Sequence, residues 1–261
     1  MSSHREADVA IRAGDLSIAQ AGRLGSERLV DGVSFTLQHG STLALMGPTG
    51  SGKSSVLGVL AVDSATGLAI VGGDAWIDGI SVRRPGRSQR LLDYMTGYLP
   101  QSAGAGLPAR HTVAEVIGEP ITSRDRHINQ RALAVRVAAL LDELMLPLGA
   151  AGKYPYELSA GMRQRVAFAR ALVLQPKVLL ADEPFANMDV EVRVAAREAI
   201  MRRRDEYGMS TLVVTNEPDV ATELRADVLV LHSGHPVAYG PSPDDLLWTP
   251  GIESDRRLIA T

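Results

Sequence analysis

The chain contains no cysteine among its 261 residues. That excludes disulfides, thiolate zinc sites and cysteine-ligated iron–sulfur clusters. It also lacks a basic excess. Lysine and arginine number 27 against 30 acids, a net charge of −3, which argues against bulk nucleic-acid binding through a basic face. No apolar run approaches the ~18 residues of a membrane span. The opening Met1-Ser2-Ser3-His4-Arg5-Glu6-Ala7-Asp8 is polar and charged, without the apolar segment of a signal peptide. There is no internal repeat and no low-complexity tract. These absences predict a soluble, cytosolic chain whose membrane role, if it has one, comes through a partner. At this length folding can bury about 70–75% of the unfolded surface, so no covalent staple is required.

What is present is organised around Gly47-Pro48-Thr49-Gly50-Ser51-Gly52-Lys53-Ser54, a G-x-x-x-x-G-K-S phosphate-binding loop. The apolar run Thr42-Leu43-Ala44-Leu45-Met46 before it reads as a buried parallel strand. Ser55-Val56-Leu57-Gly58-Val59-Leu60 after it reads as the first turns of a helix, and Ser55 is counted with the nucleotide-binding residues. The glycines let the backbone curl so that successive N–H groups point at phosphate oxygens. The helix N-terminus adds its positive dipole end. Lys53 brings a full charge to the β- and γ-phosphates, and the Ser54 hydroxyl is placed to ligate Mg²⁺.

The rest of the chain supplies an α/β frame. Val9 to Leu16 and Leu29 to Leu37 read as strands separated by Ala21-Gly22-Arg23-Leu24-Gly25-Ser26, and Ala69 to Val82 as a further Gly-rich β stretch. Ser81 to Arg90 reads as a solvated basic loop broken at Pro85-Gly86. Tyr94 to Leu99 is predicted as a strand. Thr112 to Ile117 and Ile128 to Leu146 are predicted as helices, the second with Leu133, Val137, Leu140, Leu141 and Leu144 on one face. Gly161 to Leu174 reads as a helix capped by Ser159. Lys177 to Ala181 reads as a strand, Val190 to Tyr207 as a helix, Thr211 to Thr215 as a strand and Glu217 to Leu224 as a helix. Val228 to Leu231 and Pro236 to Tyr239 form a hairpin pattern. Alternating strands and helices imply a mostly parallel sheet. The strand of residues 177–181 runs into Asp182-Glu183. Asp182 is the second acidic element, placed to hold Mg²⁺. Glu183, on the opposite side if the strand continues, can orient or deprotonate the attacking water.

Leu158-Ser159-Ala160-Gly161-Met162-Arg163-Gln164-Arg165 resembles the signature motif of the ATP-binding cassette (ABC) ATPases. The order phosphate loop, Gln101, signature, Asp182-Glu183 follows that family along essentially the whole chain. The resemblance implies a P-loop NTPase, RecA-like α/β core with an N-terminal antiparallel β subdomain and a helical subdomain. Residues 1–103 and 161–261 would form the core, and 104–160 the helical part with the signature at its end. It also implies a head-to-tail dimer that sandwiches two ATPs. Each would lie between one chain's phosphate loop and the other chain's Ser159, Ala160 and Gly161, where a helix N-terminus makes an anion site. By the same resemblance Gln101 contacts Mg²⁺ and water, and Asp189 is the aspartate of Ala186-Asn187-Met188-Asp189, the family's D-loop. Gln101 to Pro120 would line the groove for a coupling helix of an integral membrane permease. The chain would then lie at the cytoplasmic face of the membrane through its partners, with no nucleic-acid partner.

Met162-Arg163-Gln164-Arg165, Tyr154-Pro155-Tyr156-Glu157-Leu158, Val116-Ile117-Gly118-Glu119-Pro120 and Gly240-Pro241 before Asp244-Asp245-Leu246 resemble the oligopeptide, dipeptide and nickel importer group. Three positions depart from the family pattern. Asn216 stands where a switch histidine is usual and cannot carry a charge. Ala19-Gln20-Ala21 offers no aromatic to stack on adenine. Ala160 replaces the first signature glycine. Asn216 suggests one half of an asymmetric heterodimer with a slow site on this chain's own phosphate loop, with a homodimer as the alternative. The competing classes are a soluble cassette ATPase uncoupled from transport and a regulatory nucleotide-binding half with little hydrolysis. Against the first stands the absence of a coiled-coil insertion or a duplicated cassette; against the second stand Lys53, Asp182 and Glu183.

Overall fold

A computed structural model describes residues 8–22 and 28–248. The polar opening and part of the Ala21–Ser26 turn lie outside them. Strands β1 (Val9–Gln20) and β2 (Arg28–Gln38) pair antiparallel. They precede β3 (Thr42–Met46) and helix α1 (Lys53–Leu60), which bracket the phosphate loop. β4 (Leu68–Ile77) and β5 (Ile80–Ser81) follow, then α2 (Gln89–Met95), β6 (Thr96–Leu99), α3 (Val113–Thr122) and α4 (Gln130–Glu143). The rest of the described chain is α5 (Ala160–Leu172), β7 (Val178–Asp182), α6 (Val190–Tyr207), β8 (Ser210–Val214), α7 (Pro218–Glu223), β9 (Asp227–His232), β10 (His235–Ser242) and β11 (Asp245–Trp248).

Two sheets result. One is antiparallel, in the order β2-β1-β4-β5; the other runs β11-β10-β9-β3-β8-β7-β6. Within the second, β9, β3, β8, β7 and β6 pair in parallel, and β10 and β11 add antiparallel. Its central strands are apolar on both faces, and their period of two divides them between two cores. Leu43 and Leu45, Val178 and Leu180, Leu212 and Val214 turn toward the antiparallel sheet and α1. Ala44 and Met46, Leu179 and Ala181, Val213 turn toward α3, α5 and α6, around the fully buried Phe168. Each leucine, valine, methionine or phenylalanine among them contributes about 1.5–3 kcal/mol relative to exposure. The doubly covered sheet therefore fixes where every strand's C-terminal end emerges.

The helices begin where capping residues stand. Thr112 and Glu115 form a reciprocal capping box at α3, and Asn129, Ser159 and Asp189 cap α4, α5 and α6 by accepting backbone N–H groups. The predicted stripe on α4 is the buried one: Val137, Leu140, Leu141 and Leu144 are in the core, with Leu133 packed against it. Tyr94 is a correction. It and Met95 end helix α2 rather than start a strand, and β6 begins only at Thr96. The helix is held by a Gln89 Nε2 to Asp93 Oδ1 hydrogen bond of 2.8 Å and by burying Leu92 and Met95. Among the described residues no helix is long and apolar enough to cross a membrane.

Candidate active site

The site forms where β3, β7 and β8 end side by side. Leu45 pairs with Val214, and Asp182 pairs with Val214 from the other side. That register brings the residues following each strand, 47 onward, 183 and 215–217, to one rim of the sheet. Gly47 leaves β3 at φ 129°, and Gly50 and Gly52 take φ 82° and 97°. Two of these glycines are required by space as well as conformation. A Cβ on Gly47 would fall 2.0 Å from the Leu231 carbonyl oxygen, and one on Gly52 2.6 Å from that of Leu29. Gly50 has open space around it, so there only the dihedral selects glycine.

The curl folds Lys53 back over its own loop. Its Nζ donates to the carbonyl oxygens of Gly47 at 2.5 Å and Pro48 at 2.9 Å, and to Ser51 Oγ at 3.4 Å. Burial pulls the ammonium below the usual lysine range, with the Glu183 and Asp182 carboxylates pulling the other way. Helix α1 has no side-chain cap at Gly52 and no acid in its first turn. Its leading N–H groups, those of Lys53, Ser54 and Ser55, therefore face out of the helix end without intrahelical acceptors. Thr49 and Gly50 are exposed at the mouth, whereas Ser51 is buried and its carbonyl accepts from Gly234 N–H at 3.2 Å.

Asp182 ends β7 and is 3% exposed. It accepts a hydrogen bond from the Ser54 hydroxyl, and burial raises its proton affinity above the carboxylate norm despite Ser54 and Lys53. Glu183 requires a correction. The strand does not continue through it, so alternation does not decide where it points. Its backbone turns left-handed at φ 46°, with its N–H donating to the Val214 carbonyl at 2.9 Å. Such a conformation in a non-glycine residue costs about 1–3 kcal/mol and recurs at functional sites. Burial, then the neighbouring Asp182 and Glu217 charges, raise the Glu183 pKa; the Asn216 backbone N–H bonds its carboxylate and opposes the rise, as does Lys53. Asn216 thus reaches the site through its main chain, while the residue itself is exposed.

Gln101 is exposed just beyond β6. Leu99 pairs with Ala181, so Gln101 follows the strand neighbouring Asp182. Ser159 and Ala160 are exposed at the start of α5, where Ser159 Oγ accepts from Met162 N–H at 3.2 Å. Gly161 is tighter: a Cβ there would lie 2.7 Å from the Asn187 carbonyl oxygen, which precedes the Asp189 cap of α6. The end of β1 near Gln20 lies against the turn after α1, where Ala21 N–H donates to the Gly67 carbonyl at 2.8 Å.

Sequence reasoning missed three connections. The Asn216 amide on Glu183 is a main-chain contact and has no residue-type signal. Buried Gln164 accepts from Gly104 N–H at 3.2 Å, tying the loop after Gln101 to α5. Tyr98 lies near Asp63 and Asp182, and chiefly its burial raises its hydroxyl to a pKa of about 12. Only the polar Gln164 inside an otherwise apolar helix face offered a hint.

The donor chemistry suits a hard divalent cation: a hydroxyl and a buried carboxylate already bonded to each other, with no soft ligand beside them. A curled amide loop, a lysine, a free helix N-terminus, a buried carboxylate at Asp182 and a half-buried one at Glu183 together can grip a polyphosphate and activate water.

The family model described as ABC transporter matches residues 30–186. The oligopeptide transport ATP-binding protein OppD of Mycobacterium tuberculosis is 34% identical over 90% of this chain and 38% of its own length. The sulfate/thiosulfate import ATP-binding protein CysA of Gloeobacter violaceus is 36% identical over 80% and 57%. The phosphate import ATP-binding protein PstB of Aeropyrum pernix is 33% identical over 89% of this chain and 92% of its own. The chain thus spans well under two thirds of the first two relatives. A dimeric post-hydrolysis structure of the ATP-binding cassette MJ0796 with ADP and Pi superposes with a TM-score of 0.78 at 23% identity, covering 92% of this chain and 99% of the other.

Proposed function

Because this chain belongs to the ABC transporter family, we propose that it binds ATP with Mg²⁺, hydrolyses it, and energises solute import through membrane subunits. The observation that carries the reading is Lys53 held over its own loop beside the Ser54–Asp182 pair and Glu183. In this mechanism the amides of Gly50, Gly52, Lys53, Ser54 and Ser55 and the Lys53 ammonium take the phosphate oxygens, with Thr49 and Pro48 shaping the mouth. Ser54 and Asp182 would hold the Mg²⁺, joined by Gln101, and the ion neutralises phosphate charge when bound. Glu183, poised by the Asn216 N–H, orients a water and accepts its proton as the oxygen bonds to the γ-phosphorus and the bridge to ADP breaks.

Ser159, Ala160 and Gly161 stand at an exposed helix N-terminus, suited to the γ-phosphate of a second cassette rather than of this one. This favours a head-to-tail dimer. Asn216, with no chargeable ring, favours the unequal-site heterodimer over a homodimer. The helical part carrying the signature is assigned to residues 104–160, and 1–103 with 161–261 to the core. A groove of about 1090 Å³ between α2, α3 and α5 is rimmed by exposed Leu91 and Tyr94 and by Glu119 and Arg170, and suits a coupling helix of the permease. Only Pro100, Glu119 and Pro120 of its lining fall in or beside the stretch predicted for it. Such docking places the chain on the cytoplasmic face of the membrane. The solute is proposed as peptide-like on the four sequence features shared with that importer group; relatives named for oligopeptide, sulfate, phosphate and Fe(3+) lie between 32% and 36% identity.

Titration of nucleotide binding tests the reading. Lys53→Ala is expected to lose ATP affinity by at least about tenfold, and Glu183→Gln to keep it while turnover falls by about 10²–10⁴. Retained hydrolysis in both variants would overturn it.

A further inference from the structure

Helix α6 carries a row of arginines facing α7. Arg193 pairs with Glu217, Arg197 with Glu223 at 3.3 Å, and Arg204 donates to the Leu224 carbonyl at 3.0 Å. The spacings of four and seven residues put all three on one stripe. Only the first reaches the turn between β8 and α7. Glu217 immediately follows Asn216, whose N–H holds the Glu183 carboxylate, and the Glu217 charge is felt at Glu183. Main-chain bonds hold the rest of the turn: Thr215 N–H donates to the Leu45 carbonyl at 3.2 Å, Glu217 N–H to Thr215 Oγ1 at 3.1 Å, and Val220 N–H to the Glu217 carbonyl at 3.1 Å, so the Arg193 pair is what holds the Glu217 side chain. Asn216 itself is exposed.

We infer that Arg193 is a positioning residue for hydrolysis: by clamping Glu217 it fixes the Asn216 peptide, and so the Glu183 carboxylate, against the rim of the sheet. The inference rests on the ATPase reading of this site. The Arg193 and Glu217 side chains are 35% and 52% exposed, and a pair that open contributes little to folding. Its effect therefore falls on geometry rather than on stability. The route also has a direction. Arg193 lies one turn beyond the Asp189 cap of α6, and the loop before that cap abuts Gly161 of the signature. A displacement of the signature end would reach Glu183 through α6, Arg193, Glu217 and Asn216.

The test is a double-mutant cycle in the assembled complex, with amide exchange of Asn216 measured on the isolated chain. Arg193→Met is expected to lower kcat on the order of tenfold while KM stays within about twofold, and to speed Asn216 exchange about threefold, the most that so open a pair can hold locally. Arg193→Lys recovers part of both. In a Glu217→Gln background Arg193→Met adds little, and Arg197→Met, four residues along, leaves both readouts unchanged. Equal losses in both backgrounds, unchanged Asn216 exchange, or an Arg197→Met effect as large as that of Arg193→Met overturns the inference. Should Arg193→Met not fold, Arg193→Lys and Glu217→Gln carry the same readouts. A wild-type complex without turnover defeats the ATPase reading instead, and the exchange measurement still decides the clamp.

Discussion

Lys53, Asp182 and Glu183 are each held against the preference of a solvated charge: burial lowers the first and raises the other two. Such tension is expected where a charged ligand later arrives. It makes a testable statement about stability in the nucleotide-free, chelator-treated chain. Asp182 has a proton affinity above its ordinary 3.8 in the fold. The folded chain therefore binds that proton better than the unfolded chain, and the associated stability is full below that value and lost as pH rises through the raised one. Asp182→Asn is accordingly expected to raise Tm at pH 7.5, by about 2–4 °C for each ~1 kcal/mol released. The gain should shrink toward zero as pH falls to about 4, read by scanning calorimetry at both ends. At the same scale, Asn216→His in the assembled complex is expected to raise turnover, because a charge-assisted bond to phosphate is roughly twice as strong as a neutral one. An unchanged rate would favour the homodimer that tolerates asparagine. These roles were legible as residue types in the motif; the main-chain contact of Asn216 was not, because any residue supplies an N–H.

At the scale of elements, ion pairs connecting helices differ in worth by how dry they are. Glu143 at the end of α4 takes both nitrogens of Arg203 on α6 at 2.7 Å each, with side chains 12% and 13% exposed. Arg203→Met is expected to cost about 2–3 kcal/mol. The more open Arg197–Glu223 pair should cost under ~1 kcal/mol when Arg197→Met removes it. Denaturant melts of the two variants check the contrast. Elements with strong periodicity or caps, such as Val190–Tyr207 after Asp189, had the same boundaries in sequence and structure. Tyr94 did not, because seven residues are too few for periodicity to outweigh a β-favouring aromatic. Asp244-Asp245-Leu246 carries the group resemblance but no strand pattern; pairing with β10 makes Asp245–Trp248 a strand.

Over the whole molecule, the sheet order sends α2, α3 and α5 to one side of the rim and leaves Leu91 and Tyr94 half in water, 50% and 52% exposed. Apolar side chains at a groove edge are what a docking partner would cover. Leu91→Arg with Tyr94→Arg is therefore expected to leave ATP affinity of the isolated chain within about twofold and to abolish co-purification with membrane subunits, since a charge buried at an apolar contact is costly. The sequence by itself determined the phosphate loop, the acidic pair and the helix that opens at Ser159, because each is a local pattern whose chemistry needs only neighbours along the chain. The tertiary structure alone decided that Glu183 leaves its strand left-handed, that Asn216 meets it by the backbone, that Gln164 fastens the Gly104 loop and that Arg193 clamps Glu217. Those partners are separated by 24 to 60 residues in two of the cases, and only parallel strand register, which side-chain burial on both faces sets, brings their ends to the same rim.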